Sequence, residues 1–255
     1  MKKIHNKSSG GILKKILKRI VPKRLRLPLI FWWLKRANKL DPEMFVASNL
    51  CKNKRIAIDV GSNNGLYSYF YSKNFESVKS FEPFPMASQN LIQSKLKNVE
   101  FFHYALSSTS GDATLHAPVA DNGRVIHSQA SLNQFSENSI QVAVSLRTLD
   151  SFEFQDVNML KVDVEGHERN VLEGAVKTIR RCKPIILVEI EERHLGFSPE
   201  NTIDFIEKLG YASFIFVENK LTKTSDFDYL GNQRNCVRQN NFDSYCNNFI
   251  FVPVK

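Results

Sequence analysis

An α/β fold with a doubly wound, mostly parallel sheet is what the order of patterns along this sequence predicts. Three observations carry that prediction. Short buried-strand runs alternate with helical stretches from residue 55 onward, the spacing that lays parallel strands side by side under helices on both faces. A glycine-containing turn, Asp59-Val60-Gly61-Ser62-Asn63-Asn64-Gly65, follows the first strand, at the edge where such sheets bind ligands. Two late strands, over 212–217 and 248–252, have no evident helical pattern between them, which predicts an antiparallel terminal hairpin.

Taken in order, apolar residues at 12, 13, 16, 17, 20 and 21 surround Lys14, Lys15, Lys18 and Arg19. One half of that helix is apolar and the other basic, and Pro22 ends it. Residues 29–40 set Phe31, Trp32 and Trp33 beside Lys35, Arg36 and Lys39. The body opens with a buried strand over 55–60 and an aromatic helix over 66–73. A strand over 77–81, a helix over 86–96 and a strand over 99–103 follow. Alternating pieces at 112–117 and 141–146 read as an antiparallel excursion. A fourth strand over 159–164 feeds a helix over 168–181, and 184–190 is a fifth strand. Ser198 as cap and Pro199 at the first helical position start another helix, which Gly210 stops.

Composition narrows the classes. The 255 residues are 42% hydrophobic and 24% charged, which excludes disorder, collagen-like repeats and a disulfide scaffold. Residues 1–40 hold 13 Lys and Arg and no acid, leaving 22 basic and 26 acidic residues in 41–255. The net charge of +9 therefore splits into +13 on an arm and −4 on a body, and the expected domains are 1–40 and 41–255. Cys51, Cys182, Cys236 and Cys246 match no zinc or redox spacing. No apolar run approaches the ~20 residues of a spanning helix, and no secretory signal is legible. A cytoplasmic location is expected.

Asp59 puts a carboxylate at the tip of the first strand, in a G-x-x-x-G turn and not the G-x-G-x-x-G of pyrophosphate loops. A carboxylate repels a diphosphate and attracts a cation, so S-adenosylmethionine suits the loop better than a dinucleotide. The alternative is an ordinary strand–turn. Glu82, after the second strand, is placed to accept from ribose hydroxyls; otherwise it is a surface acid before Pro83.

Lys161, Asp163 and Glu165 share one side while the fourth strand lasts. Gly166 opens the next helix, and the three acids Asp163, Glu165 and Glu168 with His167 offer a divalent-metal set or a general base. Glu165 and Glu168 could instead complement a helix dipole. The fifth strand ends in Glu189 and Glu191, which converge with Asp163 and Glu165. Such a cluster needs a metal, a cation or raised pKa values. The expected catalytic residues are Asp163, Glu165, His167, Glu189 and Glu191, with His167 or Glu191 as base. His194 is a further base candidate. A metal such as magnesium, if used, would take Asp163, Glu165 and Glu189. Residues 118–139 and 219–245 carry no motif and are the candidate acceptor contacts.

The chain resembles the FkbM family of S-adenosylmethionine-dependent methyltransferases. The likeness runs in order through Ala57 to Gly65, Phe81-Glu82-Pro83, Ala105-Leu106-Ser107, Arg147-Thr148-Leu149-Asp150, Leu160 to Gly166, and Glu189-Ile190. It implies a class I methyltransferase, Rossmann-like, seven-stranded sheet and O-methylation of a sugar hydroxyl in a glycan, lipid-linked saccharide or glycosylated natural product. Carried over, Asp59, Gly61, Ser62, Asn63 and Gly65 form the cofactor loop, with Ser62 where alanine is common. Glu82 holds the ribose, Ala105 and Leu106 flank the adenine, and Asp163 closes the methionine end.

Two other readings stay open. One is a nucleic-acid methyltransferase using the basic arm. Against it, the fourth strand ends in Asp-Val-Glu-Gly rather than Asn/Asp-Pro-Pro-aromatic, no Pro-Cys is present, and an acidic mouth opposes phosphates. The other is a non-catalytic membrane adaptor on this fold. For the arm, contact with an anionic membrane through residues 11–36 competes with packing on the domain. Membrane contact would place the protein at the inner face of the membrane.

Overall fold

The computed structural model describes residues 21–84, 86–120, 122–123, 125–126, 130–132, 138–192, 198–242 and 244–254. Residues 12–20 of the first expected helix and the base candidate His194 lie outside them. In chain order, helices α1 (Lys23–Arg36) and α2 (Pro42–Leu50) precede strand β1 (Ile56–Val60). Next come α3 (Leu66–Ser72), β2 (Ser77–Phe81), α4 (Gln89–Ser94), β3 (Val99–Phe102) and β4 (Ala105–Leu106). An excursion follows as β5 (Gly111–Pro118) and β6 (Ser139–Arg147). The second half runs β7 (Val157–Val162), α5 (Glu168–Glu173), α6 (Val176–Cys182), β8 (Ile185–Glu189) and α7 (Glu200–Lys208). It closes with β9 (Tyr211–Val217), β10 (Lys220–Lys223), α8 (Tyr229–Gln239) and β11 (Asn248–Pro253).

The main sheet has the order β10-β9-β11-β8-β7-β1-β2-β3. Strands β3, β2, β1, β7 and β8 are parallel, and β11 inserts antiparallel between β8 and β9. The doubly wound prediction holds, but the sheet has eight strands where seven were expected. The extra strand is β10, which folds back on β9 at the edge. Strand periodicity explains how both faces are covered. Ile58, Val60, Leu160, Val162, Phe249 and Phe251 face one core, while Ala57, Met159 and Ile250 face the other. The excursion forms a separate three-stranded sheet, with β5 and β6 paired from Gly111–Leu146 to Pro118–Ser139.

Three elements differ from expectation. The helix over 168–181 is broken into α5 and α6 at Gly174, where a side chain would overlap the Ser107 carbonyl oxygen. Asp150 caps the second piece, accepting from the backbone N–H of Lys177 (2.9 Å) and Thr178 (2.7 Å). A helix, α8, does lie between the late strands. Its apolar stripe is weak because a polar side chain anchors it: Gln233 Nε2 donates to the carbonyls of Ile190 (2.9 Å) and Cys246 (2.7 Å). Helix α2, which the strand–helix reading passed over, buries Met44, Ala47 and Ser48. The arm boundary at residue 40 also shifts in meaning. Leu27 of α1 is fully buried, and Phe31 packs on Tyr69 and Phe70 of α3. Among the described residues, no helix is long and apolar enough to cross a membrane.

Candidate active site

A cleft of about 180 Å³ opens at the carboxyl ends of β1, β2, β7 and β8. Its walls include Asn63, Glu82, Ala105, Leu106, Asp163, Glu165, His167 and Glu189. The chain reaches it through tight turns. Gly61 sits at φ +76°, and a Cβ there would overlap the Asp163 carbonyl oxygen. The close approach of the β1 and β7 ends therefore depends on glycine. Glu165, on the opposite lip, holds φ +53°, an uncommon left-handed conformation for a side-chain-bearing residue.

Glu82 is buried and fixed at both oxygens, accepting from Asn63 N–H and Phe84 N–H, each at 2.9 Å. Burial pushes its pKa up to about 7 against those two bonds. The carboxylate is thus aimed before any ligand arrives. Ala105, Leu106, Phe81 and Leu115 supply an apolar wall beside it, which suits a flat ring system.

Asp163 and Glu189 meet on the far side. Lys161 Nζ donates to Asp163 Oδ2 at 2.8 Å and stands 4.0 Å from Asp59 Oδ1. It also lies 4.3 Å over the Tyr67 ring. Burial alone would lower the Lys161 pKa, but Asp163 and Asp59 hold it above its ordinary value. Glu189 is pushed well above the carboxylate range by burial and by Asp163, with which it shares a hydrogen bond. Asn247 Nδ2 donates to both Glu189 and Glu191. The compensation for clustered acids is therefore a buried cation at Asp163, an amide at Glu189 and Glu191, and a raised pKa at Glu189. His167 is held by Ser107 Oγ, 2.9 Å from its Nε2, and burial lowers its pKa.

Several expected site residues are placed differently. Asp59 does not line the cleft. It is fully buried on the other face of β1, where Ser68 Oγ donates to its Oδ2 at 2.6 Å and its Oδ1 accepts no hydrogen bond. Burial raises its pKa, with Lys161 opposing. Alternation along the strand causes this: Asp59 faces away from Ile58 and Val60. Ser62 and Gly65 also stand back from the cleft, Gly65 beginning α3 against Leu91. Glu191 lies in a narrow recess behind it, with Asp163, Glu165, Glu168 and Glu189. Glu168 has a structural role there, its Oε1 accepting from Gly166 N–H (2.9 Å) and Val164 N–H (3.2 Å). Asp163, Glu165 and Glu189 converge, yet among the described residues no three metal-ligating side chains are arranged to hold an ion. The expected metal set does not fit.

The sequence reading assigned no role to Lys161 or Tyr104. Lys161 stood in a quoted motif, but nothing in its spacing showed a buried ion pair. Tyr104 lines the cleft directly before Ala105, under Arg147 at 5.2 Å. Of the candidate acceptor segments, Ala130 and Leu132 reach the cleft, while none of the described residues of 219–245 does. Ser131 Oγ ties that segment to the lip by donating to the Glu165 carbonyl at 2.7 Å.

The family model described as "Methyltransferase FkbM domain" matches residues 59–213, more than half of the chain. The chain is similar to the hexuronic acid methyltransferase AglP of Haloferax volcanii, 30% identical over 182 residues, covering 69% of this chain and 70% of that protein. Among solved structures, it is similar to the FkbM methyltransferase of Methylobacillus flagellatus KT (TM-score 0.47, 14% identity). That match covers 78% of this chain but 43% of the other, so the chain spans less than half of that structure. A TehB-like SAM-dependent methyltransferase of Corynebacterium glutamicum gives a TM-score of 0.44 at 13% identity, covering 88% and 94%.

Proposed function

The chain belongs to the FkbM methyltransferase family, and on that premise we propose that it methylates a sugar hydroxyl, using S-adenosylmethionine as donor. One observation carries the choice of a hydroxyl: Glu82, Asp163, Glu165 and Glu189 line the cleft, and among the described residues no Lys or Arg does. Such a wall offers carboxyl oxygens to a cationic cofactor and no basic side chain to an acceptor whose reacting group is an anion. The similarity to a hexuronic acid methyltransferase supports a saccharide as the carrier of that hydroxyl. Glycans, lipid-linked saccharides and glycosylated natural products are the acceptor classes. A lipid-linked acceptor would put a cytoplasmic enzyme at the inner face of a membrane.

The cofactor fits the groups present: a fixed carboxylate, an apolar wall and a far acidic end. When bound, it supplies an electrophilic methyl group on a sulfonium. Glu82 would accept from the ribose hydroxyls, Ala105 and Leu106 would border the adenine, and Asp163 would face the methionine ammonium. The Gly61–Gly65 turn and the Asp59–Lys161 pair hold that end in place from behind. The chain's remaining task is to orient the acceptor oxygen and take its proton. His167 suits that task because its lowered pKa leaves the imidazole neutral at physiological pH, and Ser107 fixes the ring.

The test is a methyl-transfer screen with labelled cofactor on nucleotide-sugars and lipid-linked glycans, run with magnesium and with chelator. Transfer to a saccharide hydroxyl is the expected result. Cofactor at ~100 times its dissociation constant should also stabilise the protein by about 2.7 kcal/mol. Methylation of nucleic acid alone would overturn the acceptor. Absence of any cofactor-induced stabilisation would overturn the enzymatic reading in favour of an adaptor.

A further inference from the structure

Helix α1 carries two apolar faces. One is used: Leu27 is fully buried and Phe31 stacks on α3. The other is open, with Leu25 44%, Leu29 48%, Trp32 58% and Trp33 53% exposed. At about 100° per residue, Leu25, Leu29, Trp32 and Arg36 fall within roughly 60° of one another, opposite Leu27. Trp33 borders the same stripe. Cations rim it, with Arg36 5.6 Å over Trp32 and Lys39 5.2 Å over Trp33. Lys23, Arg24, Arg26 and Lys35 lie on the same helix, and no acidic residue precedes Asp41.

We propose that this outer stripe of α1 docks the enzyme on an anionic lipid surface, with the helix lying in the membrane plane. The chemistry is specific to that occupant. Leucines and indole rings enter the headgroup–acyl boundary, where tryptophan is favoured, and the surrounding Lys and Arg meet lipid phosphates. The inner face of α1, pinned by Leu27 and Phe31, holds the stripe rigid against the domain. Docking by this stripe needs no particular acceptor, so its test stands apart from the methyl-transfer screen.

The chain has only two tryptophans, Trp32 and Trp33, so its intrinsic fluorescence reports this stripe alone. The full chain is titrated with vesicles of equal parts phosphatidylglycerol and phosphatidylcholine, and with phosphatidylcholine alone. The expected result is a blue shift and quenching by brominated lipid with the anionic vesicles, reversed by salt. Leu25→Gln with Leu29→Gln keeps both reporters and should weaken partitioning at least roughly tenfold. Arg36→Gln should weaken it roughly fivefold. Thermal unfolding with and without cofactor confirms that these variants remain folded. Vesicle binding with unchanged emission would overturn the proposal by placing contact elsewhere in the basic arm. A blue shift that follows protein concentration without lipid would assign the stripe to a second copy. Emission already blue-shifted and indifferent to vesicles would assign it to another part of the chain.

Discussion

Glu82→Gln separates the two consequences of burying a carboxylate in the cofactor cleft. In the wild type, both Glu82 oxygens accept backbone N–H bonds, and burial raises its pKa from 4.5 to about 7. An acid with a higher folded pKa holds a proton that the unfolded chain has already released. Its contribution to stability is therefore complete below 4.5 and is lost as pH rises to about 7. At 1.36 kcal/mol per pH unit, that interval amounts to about 3 kcal/mol. Glutamine does not titrate, but it offers one oxygen to two N–H donors, leaving one unpaired at a cost of about 1–3 kcal/mol. Near pH 5 the variant should be less stable than the wild type by about 1–3 kcal/mol. By about pH 8 the wild type has lost its contribution, and the gap should close or reverse. Urea unfolding at the two pH values reads this directly. Calorimetry should show S-adenosylmethionine affinity reduced about 10- to 150-fold above pH 7, the worth of a hydrogen bond to a charged acceptor. Parallel stability profiles for both proteins would refute the buried proton. Unchanged affinity would refute the ribose role.

Lys161→Met strands the buried Asp59 and the half-buried Asp163 without their cation and should cost about 3–5 kcal/mol; a melting temperature equal to wild type would mean those acids are neutral in the native state. Gly61→Ala drives a methyl group into the Asp163 carbonyl at a positive φ, so thermal unfolding should show a loss above about 3 kcal/mol. A small loss would show that the β1 and β7 tips separate easily. His167→Asn should depress kcat. In the wild type, activity should fall as pH drops through the lowered His167 pKa, below 6.5, because only the neutral ring accepts a proton. If the acid limb persists in His167→Asn, another group is the base.

The succession of strands and helices, the position of the cleft and the places of Glu82, Asp163 and Glu189 in its lining were legible because each depends on short-range pattern, whereas Ala105 and Leu106 came from the family resemblance and the strand order from the structure. Alternation sets which residues of a buried strand share a face, and ligand sites in such sheets lie at the strands' carboxyl ends. The helix α8 was not legible, since Gln233 anchors it through backbone carbonyls and leaves little apolar periodicity to read. Nor was the break between α5 and α6, which is set by the Ser107 backbone pressing on Gly174 from a distant segment.

By itself, then, the sequence determined an α/β sheet with its chemistry at the β1, β2, β7 and β8 tips, and a basic arm set apart from an acidic body. Only the tertiary structure decided how that acidity is balanced. Asp59 turned out to face the core and pair with Lys161, whereas Glu189 stands against Asp163 with its pKa raised by burial and by that neighbour. The tertiary structure also decided that the arm's second segment is a helix seated on the domain by Leu27 and Phe31 with its tryptophans turned outward. Charge balance and exposure are properties of through-space neighbours, whose distances depend on every strand crossing between them, and no local pattern encodes those distances.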